Sequence, residues 1–149
     1  MENRFVVIAA AAMVAAAPIA GCSSSEPKSP PQPSGALPPN TVHMTVNGHD
    51  AGTTHDVKCD QVDWFHTIDA GNPASGVKAT IEFGDKVTAQ SVELHSVGGF
   101  TGSFWNGTVG SGDASILGNT FRVTGTAVGA NDDKPNTQTT ATFDIRANC

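Results

Sequence analysis

Apolar and polar residues alternate along most of the chain beyond Thr41, and this alternation restricts the fold more than any other feature. It places every second side chain on one side of an extended strand, so it predicts half-buried β-strands. Glycine is frequent, and Thr and Val favour a pleated surface. We therefore expect an all-β domain, either a small antiparallel β-sandwich or a compact barrel-like sheet. The alternating segments are residues 42–46, 77–83, 92–96, 121–125 and 139–147.

The first forty residues differ in composition from the rest, since every threonine lies at or beyond Thr41. Residues 5–17 form an uninterrupted apolar run after Arg4. A run of this length is typical of a signal peptide. It is too short for a spanning helix, which needs about 20 apolar residues. Residues 22–40 are rich in Pro and Ser and favour an extended tether with a reach of at most roughly 55 Å. We predict a signal peptide over 1–21, a tether over 22–40 and a β domain over 41–149.

The end of the apolar segment carries a lipobox, Ile19-Ala20-Gly21-Cys22. An aliphatic residue and two small residues let an extended backbone enter the lipoprotein signal peptidase, and the thiol of Cys22 is the nucleophile that receives diacylglycerol. Cleavage before Cys22 frees its amine for a further acyl chain such as palmitate. Each buried CH₂ contributes about 0.8 kcal/mol, so two or three chains anchor stably. The sequence predicts an exported lipoprotein that is lipidated at Cys22 and held at the outer side of the cell membrane.

Two cysteines remain after Cys22 is set aside, Cys59 and Cys149. Exported proteins fold in an oxidising compartment, so an even remainder predicts a disulfide. The chain contains no Cys-x-x-Cys pair that would favour a redox role.

The charge balance and the missing motifs exclude several functions. Eight basic residues face fourteen acidic ones, a net charge of −6, which argues against nucleic acid as a partner. No Gly-x-Ser-x-Gly or His-Glu-x-x-His motif is present, so we expect no enzyme, no catalytic residue and no cofactor. We predict no metal site, although folding can still bring His49, His55 and Asp56 together. The acidic run from Asp50 to Asp69 is interpreted as a solvated face.

The most unusual stretch runs from Gly98 to Gly107 and places three aromatic residues among small ones. Phe100 and Phe104 have even spacing and share one face of a strand, with Trp105 on the other. Two interpretations stay open: the rings are core, or the region of Phe100, Phe104 and Trp105 is a ligand or partner surface for a lipid or a glycan.

Several segments resemble the mycobacterial nineteen-kilodalton lipoprotein antigen family. They are Thr-Val-Asn-Gly at 45–48, Phe-Arg-Val-Thr-Gly-Thr-Ala at 121–127 and Phe-Asp-Ile-Arg-Ala-Asn-Cys at 143–149, together with the lipobox and the two later cysteines. Residues 99–105 and 134–137 look most similar to the LppE-type branch. The resemblance implies a cell-envelope lipoprotein without known catalytic activity, whose lipidated Cys22 is sensed by host Toll-like receptor 2.

Overall fold

The structure is a computed structural model that describes residue 31 and residues 33–149. The predicted signal peptide, the lipobox and Cys22 lie outside these residues. Within the described part all regular structure is β, and none of it is a helix of the length and apolarity that crossing a membrane requires. Ten strands are present: β1 (Thr41–Val46), β2 (His49–Thr54), β3 (Val57–Val62), β4 (Phe65–Asn72), β5 (Ser75–Phe83), β6 (Val87–Val97), β7 (Phe100–Trp105), β8 (Ser111–Leu117), β9 (Thr120–Asn131) and β10 (Gln138–Asn148).

All strand pairs are antiparallel and join into one sheet with the order β2-β1-β10-β9-β7-β6-β5-β4-β3. Strand β9 is shared: its first part pairs with β8 and its last part with β7. The two edge strands of this order, β2 and β3, are consecutive in the chain and are separated only by His55 and Asp56. The sheet therefore curls back on itself into a nearly closed barrel, which confirms the expected fold class.

The disulfide between Cys59 and Cys149 ties the edge strand β3 to the end of β10, an inner strand on the other side of the sheet. Cys59 lies on β3, and Cys149 directly follows β10, with a sequence separation of 90 and a Cα–Cα distance of 6.0 Å. The predicted pairing is confirmed.

The five alternating segments are confirmed as β1, β5, β6, β9 and β10, and their apolar positions point into the barrel. On β10, for example, Ala141, Phe143 and Ile145 are buried while Thr140 and Thr142 are exposed. Glycine lets the strands approach closely where β9 pairs with β8 and with β7. A Cβ at Gly129 would overlap the carbonyl oxygen of Thr101 on β7. This contact explains why glycine stands in the middle of a long strand.

Candidate functional site

The structure separates the three aromatic residues of the sequence-predicted ligand surface. Phe100 and Phe104 are each 1% exposed and fill the core, where the ring of Phe104 lies 6.3 Å from that of Phe143. Of the two interpretations that the sequence left open, the burial of these two rings supports core. Trp105 points to the opposite side of β7 and is 47% exposed. Among these three residues, it alone is available for binding.

Trp105 stands at one side of an open groove on the outer face of β5, β6 and β7. Thr80, Ser91 and Trp105 are register partners across these three strands and form one row. The groove has a volume of about 420 Å³. Its other lining residues are polar and offer hydrogen-bond donors and acceptors: Lys78, Gln90, Glu93, Asn106 and Thr108.

Backbone hydrogen bonds hold the rim of this groove in place. The Trp105 N–H donates to the Val109 carbonyl at 2.9 Å, and the Asn106 N–H donates to the Gln90 carbonyl at 2.9 Å. The side-chain amide of Gln90 in turn donates to Glu82. The turn after β7 is thus fixed against β6, and the indole is presented on a pre-formed surface.

The histidines and acidic residues do not assemble into the site that sequence analysis left open. His55 Nδ1 lies 3.2 Å from both the Thr41 hydroxyl and the Asn40 carbonyl. The Asp residues at 50, 56, 60, 63 and 69 are all exposed, as a solvated face requires. In the part of the chain that the structure describes, the one group with metal-ligand spacing is Cys59, His66 and Cys149. Its two sulfurs are bonded to each other, so neither is a thiolate that could hold a metal.

His66 belongs instead to an aromatic cluster at one end of the barrel. Its ring stacks on Phe121 with centroids 4.7 Å apart and meets Phe83 edge-on at 6.1 Å. Its Nε2 lies 3.5 Å from Cys149 Sγ, and its buried Nδ1 has no hydrogen-bond partner among the described residues. Burial lowers the pKa of His66, since a charged ring would lose its water. The cluster therefore favours the neutral imidazole.

The chain enters the barrel at this same end, which we call the tether end. The Leu37 N–H donates to the Thr120 hydroxyl at 2.8 Å, and the Asn148 side-chain amide donates to the Leu37 carbonyl at 2.6 Å. Pro33 lies beside Gly118 in the turn between β8 and β9, where an added Cβ would be 3.6 Å from the proline ring. Residues 33–40 are thus attached along the end of β9 and β10.

A pair of arginines borders the attached segment. Arg122 and Arg146 line a small hollow of about 220 Å³ together with Ser34, Gly35, Leu117 and Thr120. Arg122 donates two hydrogen bonds to the Asp144 carboxylate, at 2.6 and 3.2 Å. Burial raises the pKa of Asp144, but the bonds and charges of both arginines outweigh this effect and hold that pKa below its ordinary value. Asp144 is therefore ionised at neutral pH.

Sequence comparison decides the family of this barrel. The sequence profile of the Mycobacterium 19 kDa lipoprotein antigen family matches residues 35–149. The chain belongs to this family. The match begins within the attached segment and covers all ten strands.

Individual relatives agree with this assignment over full length. A lipoprotein of Mycobacterium indicus pranii is 41% identical over all of both chains, and the lipoprotein LppE of Mycobacterium tuberculosis is 36% identical over all of both chains. Lipoprotein LpqH of Mycobacterium bovis is 28% identical over 100% of this chain and 99% of its own. The resemblance to the LppE-type branch is confirmed.

The sequence did not reveal a further group of exposed apolar side chains, at the tether end. It includes Trp64 and Phe65, to which no role was assigned above. The structure places them at the turn between β3 and β4, with Trp64 69% and Phe65 44% exposed. The sequence pattern that could have indicated their exposure is the run from Val62 to Phe65, where apolar residues flank a single Asp in a turn.

Proposed function

We propose that this protein is an exported, non-enzymatic lipoprotein of the cell envelope, anchored through diacylglycerol and acyl chains on Cys22. The observation that carries the proposal is the order of the chain: a lipobox, a Pro- and Ser-rich segment, and then a disulfide-closed β-barrel. The relatives are named lipoproteins, which supports the same anchoring. A disulfide between distant cysteines suits the oxidising side of the membrane.

Metabolic labelling with radioactive palmitate tests the anchor. The mature protein is expected to carry label, to begin at Cys22 and to fractionate with membranes, because several acyl chains bind a bilayer stably. Cys22→Ala should remove the label and the membrane association. Cys149→Ala is the matched control: it breaks the disulfide but should keep the label. Equal labelling of the Cys22→Ala variant would refute the proposal.

The same anchor is also the part of the molecule that we propose a host recognises. We propose that Toll-like receptor 2 senses the acylated Cys22 and not the barrel. Receptor-reporter cells should respond to the lipidated protein and lose the response with Cys22→Ala, whereas Trp105→Ala should respond as the unaltered protein does. A full response to the non-lipidated barrel would contradict this assignment.

Binding of a glycan is a second candidate function. The groove at Trp105 favours a glycan over a lipid as the ligand. An exposed indole offers a flat apolar face for the C–H side of a sugar ring, and the polar groups around it can pair with hydroxyls. A carrier of acyl chains needs a deep apolar cavity, and Phe100 and Phe104, which would have to line it, are packed in the core.

Titration with hexose and pentose oligosaccharides tests this groove. In a Trp64→Phe variant the emission comes from Trp105 alone, so binding should shift or quench it. Calorimetry should find the same affinity for the unaltered protein and for Trp64→Phe, and at least a tenfold loss for Trp105→Ala. No response to any of these sugars at millimolar concentration would refute a glycan site.

A further inference from the structure

The exposed apolar side chains of the barrel are concentrated at one end. In residues 33–149 six large apolar side chains are exposed, and only Trp105 lies on the side of the barrel. Val62, Trp64 and Phe65 lie at the turn between β3 and β4, with exposures of 69, 69 and 44%. We call these three residues the tip patch. The other two, Ile116 and Leu117, end β8 and are 43 and 45% exposed.

The tip patch and the end of β8 lie on either side of one aromatic cluster. His66, next to the tip patch, stacks on Phe121, and Phe121 is the register partner of Ile116. The segment that leads back to Cys22 is attached at the same place, since Pro33 lies beside Gly118 in the turn that follows β8. The five apolar side chains therefore surround the end at which the chain enters the barrel.

The chain between the anchor and this end is short. Pro33 follows Cys22 by eleven residues. A chain of that length spans at most about 40 Å even when fully extended. An acylated Cys22 therefore keeps Pro33, at the same end of the barrel as the tip patch, within about 40 Å of the lipid surface, and tethering over such a distance gives an effective concentration in the millimolar range. Even weak docking is then populated.

We propose that the tip patch docks on the lipid surface that holds Cys22, so that the barrel stands on its tether end with Trp64 at the level of the headgroups. This inference rests on the lipidation of Cys22 proposed above. Tryptophan suits this depth because its ring is apolar and its N–H still reaches water. Docking would leave the groove at Trp105 on the side of the barrel and accessible to the envelope.

The charges around the tip patch identify the kind of lipid. Asp63 lies within the patch, Glu82 is the register partner of Phe65, and Asp85 lies in the adjoining turn with Lys86. At this border three acidic groups face one lysine, while Arg122 and Arg146 lie elsewhere on the tether end, beside Leu117 and the attached segment. Anionic headgroups would therefore be repelled at the tip patch itself. The patch therefore fits a zwitterionic surface such as phosphatidylcholine better than one rich in phosphatidylglycerol.

The chain's two tryptophans allow a matched experiment. The mature lipidated protein is reconstituted in phosphatidylcholine vesicles whose acyl chains carry bromine, a short-range quencher of indole emission. Trp105→Phe leaves Trp64 as the reporter, and Trp64→Phe leaves Trp105. Both side chains are exposed, so neither change disturbs the core. We expect quenching of Trp64 to be at least threefold stronger than that of Trp105, and to decrease when phosphatidylglycerol replaces half of the lipid.

Each outcome decides between the alternatives. Protein that floats with the vesicles while both reporters are quenched weakly and equally overturns docking but leaves lipidation intact. Protein that does not float overturns the lipid anchor and docking together. If the Trp64 emission of protein that begins after Cys22, and so has no acyl chains, is shifted to the blue in proportion to protein concentration, a second copy of the chain covers the patch and docking on lipid is wrong.

Discussion

Replacing both Cys59 and Cys149 by serine is expected to lower the free energy of unfolding by about 4 to 5 kcal/mol. The bond joins residues separated by 90 positions. Closing a loop of that length removes conformational entropy from the unfolded chain worth about 4.6 kcal/mol at 25 °C in the chain-entropy model. Small domains have only about 5 to 15 kcal/mol in total. The variant should therefore fold with little stability left.

The native structure indicates where this loss will appear first. Strand β3 is an edge strand that pairs only with β4, and the disulfide is its covalent link to the end of β10. Without the bond, β3 should open locally before the rest of the barrel. Hydrogen exchange should then be faster in residues 57–62 of the variant, while β9 and β10, with a partner on each side, keep most of their protection.

Urea unfolding followed by far-ultraviolet circular dichroism measures the global effect. Both proteins should begin after Cys22, so that no other thiol is present. Free energies must be compared and not midpoints, because a cross-linked unfolded chain is more compact and has a smaller m-value. Reduction of the unaltered protein with dithiothreitol should reproduce the value of the double variant. A difference below about 1 kcal/mol would refute the loop-closure reasoning.

Three further changes test the core, a strand contact and His66. Phe104→Ala should cost about 3 to 5 kcal/mol of unfolding free energy, whereas Trp105→Ala should cost less than about 1 kcal/mol; equal losses in urea would contradict the burial difference. Gly129→Ala should cost about 1 to 3 kcal/mol, because its Cβ would overlap a carbonyl oxygen of β7, and an unchanged urea midpoint would refute this. Burial lowers the pKa of His66 in the folded state, so the unfolded state takes up the proton first. The stability present above the unfolded pKa of about 6.5 is lost as the pH falls through the folded pKa. His66→Phe should therefore reduce the fall in Tm between neutral and mildly acidic pH, and an unchanged fall would contradict this reasoning.

The sequence predicted five of the ten strands in the described residues, and all five have a neighbour on both sides. Alternation is strong on β5, β6, β9 and β10 because each has a neighbour on both sides and buries one complete face. It also predicted the opposite faces of Phe104 and Trp105 and the pairing of Cys59 with Cys149. The strand faces depend on local periodicity, and the disulfide depends on the number of cysteines. A single sequence contains both kinds of information.

Strands β2 and β8 carried no comparable signal. Both consist mostly of small and polar residues, and neither buries a large side chain. Their place depends on long-range pairing, in which β9 is divided between β8 and β7 where Gly125 and Gly129 allow close approach. The groove at Trp105 depends on the pairing of β5, β6 and β7, and the tip patch on the exposure of the turn between β3 and β4. The sequence therefore did not show which side chains would be exposed together.

The attached segment changes what the lipid anchor can do. A free tether over 22–40 would reach roughly 55 Å and let the barrel turn in any direction. In the structure Leu37 is bonded at both its N–H and its carbonyl, and Pro33 lies against the turn after β8. The part of the chain that is attached to the barrel therefore includes Pro33 and lies at the apolar end. Thr120→Val removes the hydroxyl that accepts from Leu37; it should release the segment and weaken the quenching of Trp64 by brominated lipid, while Thr140→Val, a change at an exposed site on β10, should leave that quenching unchanged. Equal quenching in both variants would show that the attachment of residues 33–40 does not orient the barrel.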